Sequence, residues 1–597
     1  MKYNAFVEEH AYYREKTLKT MKFLMTLLEA IAVLLGAGSP EELDSADVER
    51  FSWMSSHPLD LNSASRRELA ESGLFSDFQI VSLLDYISVS GAVLSRSELA
   101  YVDGFDAATA EALSFFVSFS GIPESGGKWR SESRVSADLA DGYGANVHLS
   151  RGKSFELAFG GAGGWNARAS AVGTTSGGTS GQGLKAVTLS AFSSLAGGRL
   201  RLYAGDFNLR FGQGLSVWNT MSVADPSSAP SLIRRPSGLK ISRSLSGKYA
   251  GTGAGAELET GPLTFTAAMT VPNLKPVLVA SVNSARRKTD VAGLHGLFNC
   301  SWWHRRFSLG LTVSVTGTPL PESGSWGCRA DFSSDFRGCF GGFDLAAEVA
   351  GGYGMPLRAV VSAVSPKLAE HFRAGASLRC EASRHSAVLV SEYSSRSGHS
   401  ASACLRFRHP VLSTAGQNDG PSVRGGDNLR ADVRYGFARG ERFSASLRMR
   451  GTWKTGFPES SVYHFRGDVS AGYGGIWKSS ASAAFSRSSK WGMAVFVEES
   501  CAVSGRVSAF LRAGIFSVDD WAGRIYVYEH DIYGRFNVPA LYGRGVWVSF
   551  FSSWKFSRAG KVSLRTSWRG HPFMPPPSRR QDKVEARLML ELYLPPR

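Results

Sequence analysis

The chain has 597 residues, 66 glycines, 11% aromatic residues and a formal net charge of +16. Such a length exceeds one ordinary soluble domain, yet no run of 18 or more apolar residues is present to make a spanning helix. The six cysteines lack CxxC spacing, the 12 histidines form no HExxH cluster, and no GxSxG or supported carboxylate pair occurs. A metal site, a cofactor site and an enzyme are therefore not expected.

In chain order, the first feature is Met21-Lys22 followed by an apolar stretch at 23–35 and the small residues Gly36, Ala37 and Gly38. This charged, apolar, then small order resembles an export signal cut after about Ala37, with Met21 as the working start. Glu29 inside the apolar core is atypical. Residues 1–38 are thus expected to be an N-terminal extension plus signal peptide.

Residues 41–121 form the second region, predicted to be a small all-α domain built from two related helix–turn–helix units. Asn62, Ser63 and Ser65 offer N-cap oxygens to the first helix, with Glu68 placed to assist. The opening LDLNSAS…EL, the Tyr86-Ile87…Gly91 middle and the second SxxEL…GF resemble the tandem helix-hairpin-helix domain of competence-type DNA receptors and DNA-repair proteins. In that family a glycine–hydrophobic–glycine hairpin offers backbone N–H groups to a DNA phosphate. The resemblance places hairpin turns at Gly73, Leu74, Phe75 and at Gly104, Phe105, Asp106, where Phe75 and Asp106 stand in place of the third-position glycine. Residues 41–123 carry fourteen acidic against four basic side chains, whereas residues 124–597 carry a net +25. Duplex affinity comes largely from basic residues that release counterions, so DNA is the disfavoured partner. An acidic domain beside a basic barrel is instead expected to dock on it as a plug or adaptor.

A linker at 122–131 leads into residues 132–597, which read as an antiparallel transmembrane β-barrel of about 22 strands, range 18–24. The run 583–594 shows the pattern: Val584, Ala586, Leu588, Leu590, Leu592 and Leu594 alternate with Lys583, Glu585, Arg587, Met589, Glu591 and Tyr593. Similar alternation at 403–408, 443–450 and 506–515 puts Arg406, Arg408, Arg448, Arg450, Arg506, Arg512 and Arg587 on the polar, lumenal face. Trp218, Trp302, Trp303, Trp547 and Trp554 are candidates for interfacial girdles, and Cys328 and Cys339 for a loop disulfide.

Two barrel motifs stand out. Residues 202–218 place Gly205, Asp206, Gly212, Gln213 and Gly214 among Phe207, Phe211 and Trp218. FGQG lacks the GK[ST] ending of a phosphate loop, so Asp206 and Gln213 are expected to anchor an inward-folded loop. Residues 524–548 include Tyr528, Glu529, Asp531, Pro539, Tyr542 and Gly543, with the two acids expected in lumenal ion pairs. Together with the helical region, these motifs resemble a family of outer-membrane barrels that carry a periplasmic helix-hairpin-helix domain. The resemblance implies outer-membrane location, lipid and periplasmic proteins as partners, a monomeric barrel and no known chemistry. The expected role is non-enzymatic passage or handling of a large or anionic substrate; a DNA-binding or DNA-uptake component is the alternative.

Overall fold

The computed structural model describes residues 27–37, 43, 45–55, 58–119 and most of 127–594. Outside the description lie 1–26, 120–126, 219–225, 242–250, 272–292, 320–325, 411–426, 574–581 and some shorter turns; at 127–194 only the backbone is described.

The helical part comprises α1 (Leu27–Leu35), α2 (Ser45–Met54), α3 (Arg66–Ser72), α4 (Asp77–Ser90), α5 (Arg96–Leu99) and α6 (Ala107–Leu113). Its helix starts are set by short polar side chains. Ser65 with Glu68 and Ser76 with Gln79 form reciprocal capping boxes at α3 and α4, while Ser95 and Asp106 cap α5 and α6. Each box satisfies backbone donors that a helix start leaves open. The two helix pairs are tied together by Asn62, whose amide donates to the carbonyls of Val93 and Phe119 and accepts from Val93 N–H. The apolar 23–35 stretch, expected as a signal core, supplies α1; its Leu28, Ala30, Ile31 and Leu34 are buried in the same cluster as Leu69, Leu83 and Leu113.

Beyond the bundle, 25 antiparallel strands form one closed ring. Leu200–Arg210 pairs directly with Gly251–Thr260, and the short Gly238–Ile241 pairs only with the end of the former. The described wall therefore has 24 strands, within the expected range. The first, Gly127–Ala140, begins inside the expected linker and closes the ring against the last, Asp582–Leu594. Closure removes sheet edges, which no strand could leave unpaired in a hydrocarbon.

Strand periodicity sorts the two faces. On the last strand Leu588 is 48% exposed and Leu592 37%, whereas Glu585, Arg587, Met589 and Glu591 are all buried. Leu405, Phe407, Val433, Met449, Leu511 and Ile515 point outward likewise, while Arg406, Asp432, Arg448 and Arg512 point inward. An apolar exterior around a closed ring with a polar, charged interior is a membrane-spanning surface. None of the described helices is long and apolar enough to cross a membrane.

Because Gly127 pairs with Leu594, both ends of the wall lie at one rim. That rim has tight turns, such as Gly261-Pro262 and Gly341-Gly342, and Arg210, Val271 and Pro410 end their strands at the opposite rim. Exposed aromatics gather beside the tight turns: Trp302, Phe340, Phe343, Phe372, Tyr393, Tyr473, Trp477 and Trp554. Three of the girdle candidates are elsewhere. Trp547 is 1% exposed inside the barrel against Phe496, Trp303 packs on the helical core, and Trp218 lies under the guanidinium groups of Arg210 and Arg234. An aromatic residue marks an interface only when its strand position faces outward at the rim, and theirs do not. Cys328 and Cys339 are both free and share the strand Trp326–Phe340. At about 3.3 Å per strand residue, eleven positions put them far beyond disulfide reach.

Candidate functional site in the barrel lumen

The helical bundle is seated in the tight-turn mouth, held mainly by acid on the bundle and base on the wall. Asp47 meets Arg210 at 2.6 Å, Glu71 meets Arg201 and Lys240 at 3.4 Å each, and Asp77 meets Arg337 at 3.0 Å. Asp85 pairs with Arg305, and Asp106 with Lys367 at 3.0 Å. One contact runs the other way: Arg67 holds Glu71 on its own helix at 2.6 Å and reaches Glu257 at 3.2 Å and Glu259 at 3.1 Å on the wall. Arg66 donates to the carbonyls of His304 and Arg305, and Phe78 N–H donates to Asp344 at 2.7 Å. The pairs named here all arise from α2 to α6 and the turns between them.

Charge placement explains the titration of these groups. Burial pushes the Glu71 carboxyl up, but Arg67, Lys240 and Arg201 outweigh it and hold the group below the usual range. Burial likewise opposes the lowering at Asp47 and Asp106, where Arg210 with Arg50, and Lys367, prevail.

Both sequence motifs fold into the lumen and touch the bundle. In the first, Gly212 (φ 59°) and Gly214 (φ 76°) adopt left-handed backbone that lets three amides converge. Gln213, Leu215 and Ser216 N–H donate to the Glu348 carboxylate of the wall at 2.6, 3.0 and 3.3 Å. A Cβ on Gly214 would come within 2.3 Å of the Arg234 guanidinium. The Gln213 side chain exchanges hydrogen bonds with the Arg234 backbone, and Arg379 and Arg358 donate to the carbonyls of Gln213 and Leu215. Asp206 is buried and accepts from Thr252, beside Gly205 at φ 91°. Further along this loop Arg235 donates to the Gly73 carbonyl at 2.9 Å, and burial pushes its guanidinium down to about 10.

In the second motif, Tyr528 is buried in the bundle's own apolar cluster. Glu529 accepts from Asn537 and pairs with Arg565; Asp531 pairs with Arg587. Val527 N–H donates to the Pro539 carbonyl, Tyr542 packs edge-on against Trp521, and Gly543 turns at φ 88°.

The hairpin turns of the bundle face inward. Leu74 and Phe75 are 1% and 2% exposed, Gly73 N–H is bonded to Ala70, and Leu74 N–H to Ser72. Phe105 is also buried, Gly104 accepts from Gln79, and Asp106 serves both as the α6 cap and as the Lys367 partner. In this arrangement the first hairpin is covered by the wall loop that carries Arg235.

Of the arginines read as lumenal, Arg406 donates to the Pro226 carbonyl, Arg448 pairs with Asp432, and Arg450 with Asp468 at 2.8 Å. Arg512 pairs with Glu498 at 2.6 Å and donates to the Tyr528 carbonyl; Arg587 bridges Asp531 and Glu585. Arg408 lies on the same strand as Arg406, and Arg506 is outside the described residues. Sequence reading missed Arg201, Lys240, Arg337, Glu257 and Glu348, although each sits at a polar position of an alternating strand or inward loop. Their partners lie far away in the chain, so alternation could show only which way they point.

Beside the bundle a cavity of about 570 Å³ remains between Asp106 and Lys367 on one side and the wall strands from Phe372 to Phe496 on the other. Among the described residues no group of three or more His, Cys, Asp or Glu side chains is arranged to hold a metal.

The sequence matches no family model and no curated protein. Among solved structures the chain is similar to the translocation pore of the P pilus usher PapC, at 11% identity and a TM-score of 0.39, covering 78% of this chain and 99% of that one. It is also similar to the siderophore receptor PirA from Pseudomonas aeruginosa (8% identity, TM-score 0.37, covering 78% and 80%). A third is the copper transporter OprC (9% identity, TM-score 0.35, covering 80% and 82%). The barrel assignment itself stands on the closed ring of strands.

Proposed function

We propose that this protein is a non-enzymatic outer-membrane barrel that passes an anionic solute, with its acidic helical bundle as a plug in the periplasmic mouth. The observation that carries the reading is the complementary seating of that bundle: six of its carboxylates meet wall or loop cations, from the tight-turn rim inward to Lys240 and Arg210. A rigid wall with a separately folded, electrostatically held insert has the parts of a gated passage. The bundle is the helix-hairpin-helix relative, retained for its shape, and fold does not carry DNA binding with it.

Single-channel recording in planar bilayers tests the proposal. The whole chain is expected to conduct little, and Arg67→Ala with Arg201→Ala to open a larger current. Equal currents in both proteins would sink the plug. Salt-sensitive micromolar binding of duplex DNA by the whole chain would return the DNA reading to first place.

A further inference from the structure

The wall strands His399–Pro410, Asn428–Arg439, Phe443–Phe457 and Ser460–Gly474 are consecutive neighbours. Their register sets arginine directly opposite arginine three times: Arg406 with Arg430, Arg434 with Arg448, and Arg450 with Arg466. Directly opposed side chains on a sheet lie about 4.5–5.5 Å apart at Cβ, and like charges there repel. Two carboxylates lie among them. Asp432 takes Arg434 at 3.2 Å and also Arg448; Asp468 takes Arg450 and Arg466, each at 2.8 Å. Each trio of two guanidinium groups and one carboxylate keeps a net positive charge.

The four arginines of these trios and Asp468 line the cavity beside the bundle. Its lining carries the cations Lys367, Arg373, Arg434, Arg448, Arg450 and Arg466 against the acids Asp106, Glu392 and Asp468. The Nε of Arg373 is buried without a hydrogen-bond partner. Phe496 and Tyr526 supply ring surface in the same lining. A volume of about 570 Å³ is in the ordinary range of small-molecule sites. Guanidinium forks accept carboxylate and phosphate groups in two-bond geometry, and a partly dry cavity strengthens those bonds.

We infer that this cavity is a binding site for a small organic or inorganic polyanion with at least two carboxylate or phosphate groups, held between the Arg434–Arg448 and Arg450–Arg466 pairs. Two trios side by side favour two anionic groups on one molecule over a single charge. The inference rests on the passage reading and names the solute class for the same lumen.

Calorimetric titration of the detergent-solubilised whole chain with citrate, pyrophosphate and acetate tests it. Citrate and pyrophosphate are expected to bind at least about tenfold tighter than acetate, with affinity falling as salt rises. Arg450→Gln with Arg466→Gln is expected to weaken citrate by about tenfold or more, and Arg450→Lys to weaken it less, because a lysine keeps charge and loses the fork. Heat-dependent gel mobility checks that each barrel is folded; should the double variant misfold, Arg450→Lys alone carries the comparison. Absence of citrate binding by the native chain, or unchanged citrate affinity in the folded variants, overturns the site. Binding is read without current, so the two proposals fail separately. An open current without citrate binding removes only the site, and citrate binding without any current removes only the passage.

Discussion

Arginine faces arginine across neighbouring strands in two regions of this wall, with different consequences. At Arg565 and Arg587 the pair is surrounded by Glu529, Asp531 and Glu585, two of them delivered by the inward loop. There the cations are matched by carboxylates and act as a clamp on the loop that carries Tyr528 into the bundle. At Arg434–Arg448 and Arg450–Arg466 the carboxylates are Asp432 and Asp468, both from the wall itself, and a cavity lies in front of them. One residue type in one register thus serves as a fastening where another segment supplies acid, and as an anion-attracting surface where none does.

Acid should separate the bundle from the wall more thoroughly than any single substitution. Asp47, Glu71 and Asp106 have carboxyls held below their ordinary values when docked. Their contribution is complete above the ordinary carboxylate range near pH 4 and is lost as pH falls through the lowered values. Bilayer current, or protease access to residues 41–119, should therefore rise only well below about pH 4. Opening that instead begins near neutrality would break the carboxylate account.

The clamp and the strip can be told apart by stability. Arg565→Leu leaves the buried Glu529 without its cation, and Asp531 and Glu585 to Arg587 alone, and is expected to cost about 3–5 kcal/mol in denaturant unfolding. Arg450→Gln leaves Asp468 with Arg466 and should cost about 1 kcal/mol or less, its main effect falling on anion binding. Equal costs would erase the distinction.

Smaller effects probe the insert. Gly214→Ala forces a Cβ into left-handed backbone and against Arg234, which should cost about 1–3 kcal/mol and loosen the 211–218 loop from Glu348. Hydrogen exchange at Leu215 N–H would report it. Lys367→Ala removes a pair whose two side chains are 35% and 51% exposed, so unfolding should move by no more than about 1 kcal/mol. A larger loss there would mean that the second hairpin is held by more than a surface pair.

Much of this molecule could be read before folding it. Alternation at 583–594 and 506–515 identified which residues face out, since a strand's period of two follows from local geometry. Serine and glutamate at 65–68 announced one helix start because capping spans three residues, whereas Asp106, read as a turn residue, proved to cap another. The opposite charges of residues 41–123 and the rest pointed to a docked bundle, since charge sums need no coordinates. Partner identity was decided only in three dimensions. Gln213 finds Glu348 across 135 positions, and Arg67 finds Glu257 across 190, through strand registers that no local pattern encodes. The same holds for Trp547, whose aromatic character was legible but whose inward direction, and hence its place in the core rather than in a girdle, depended on the register of its strand.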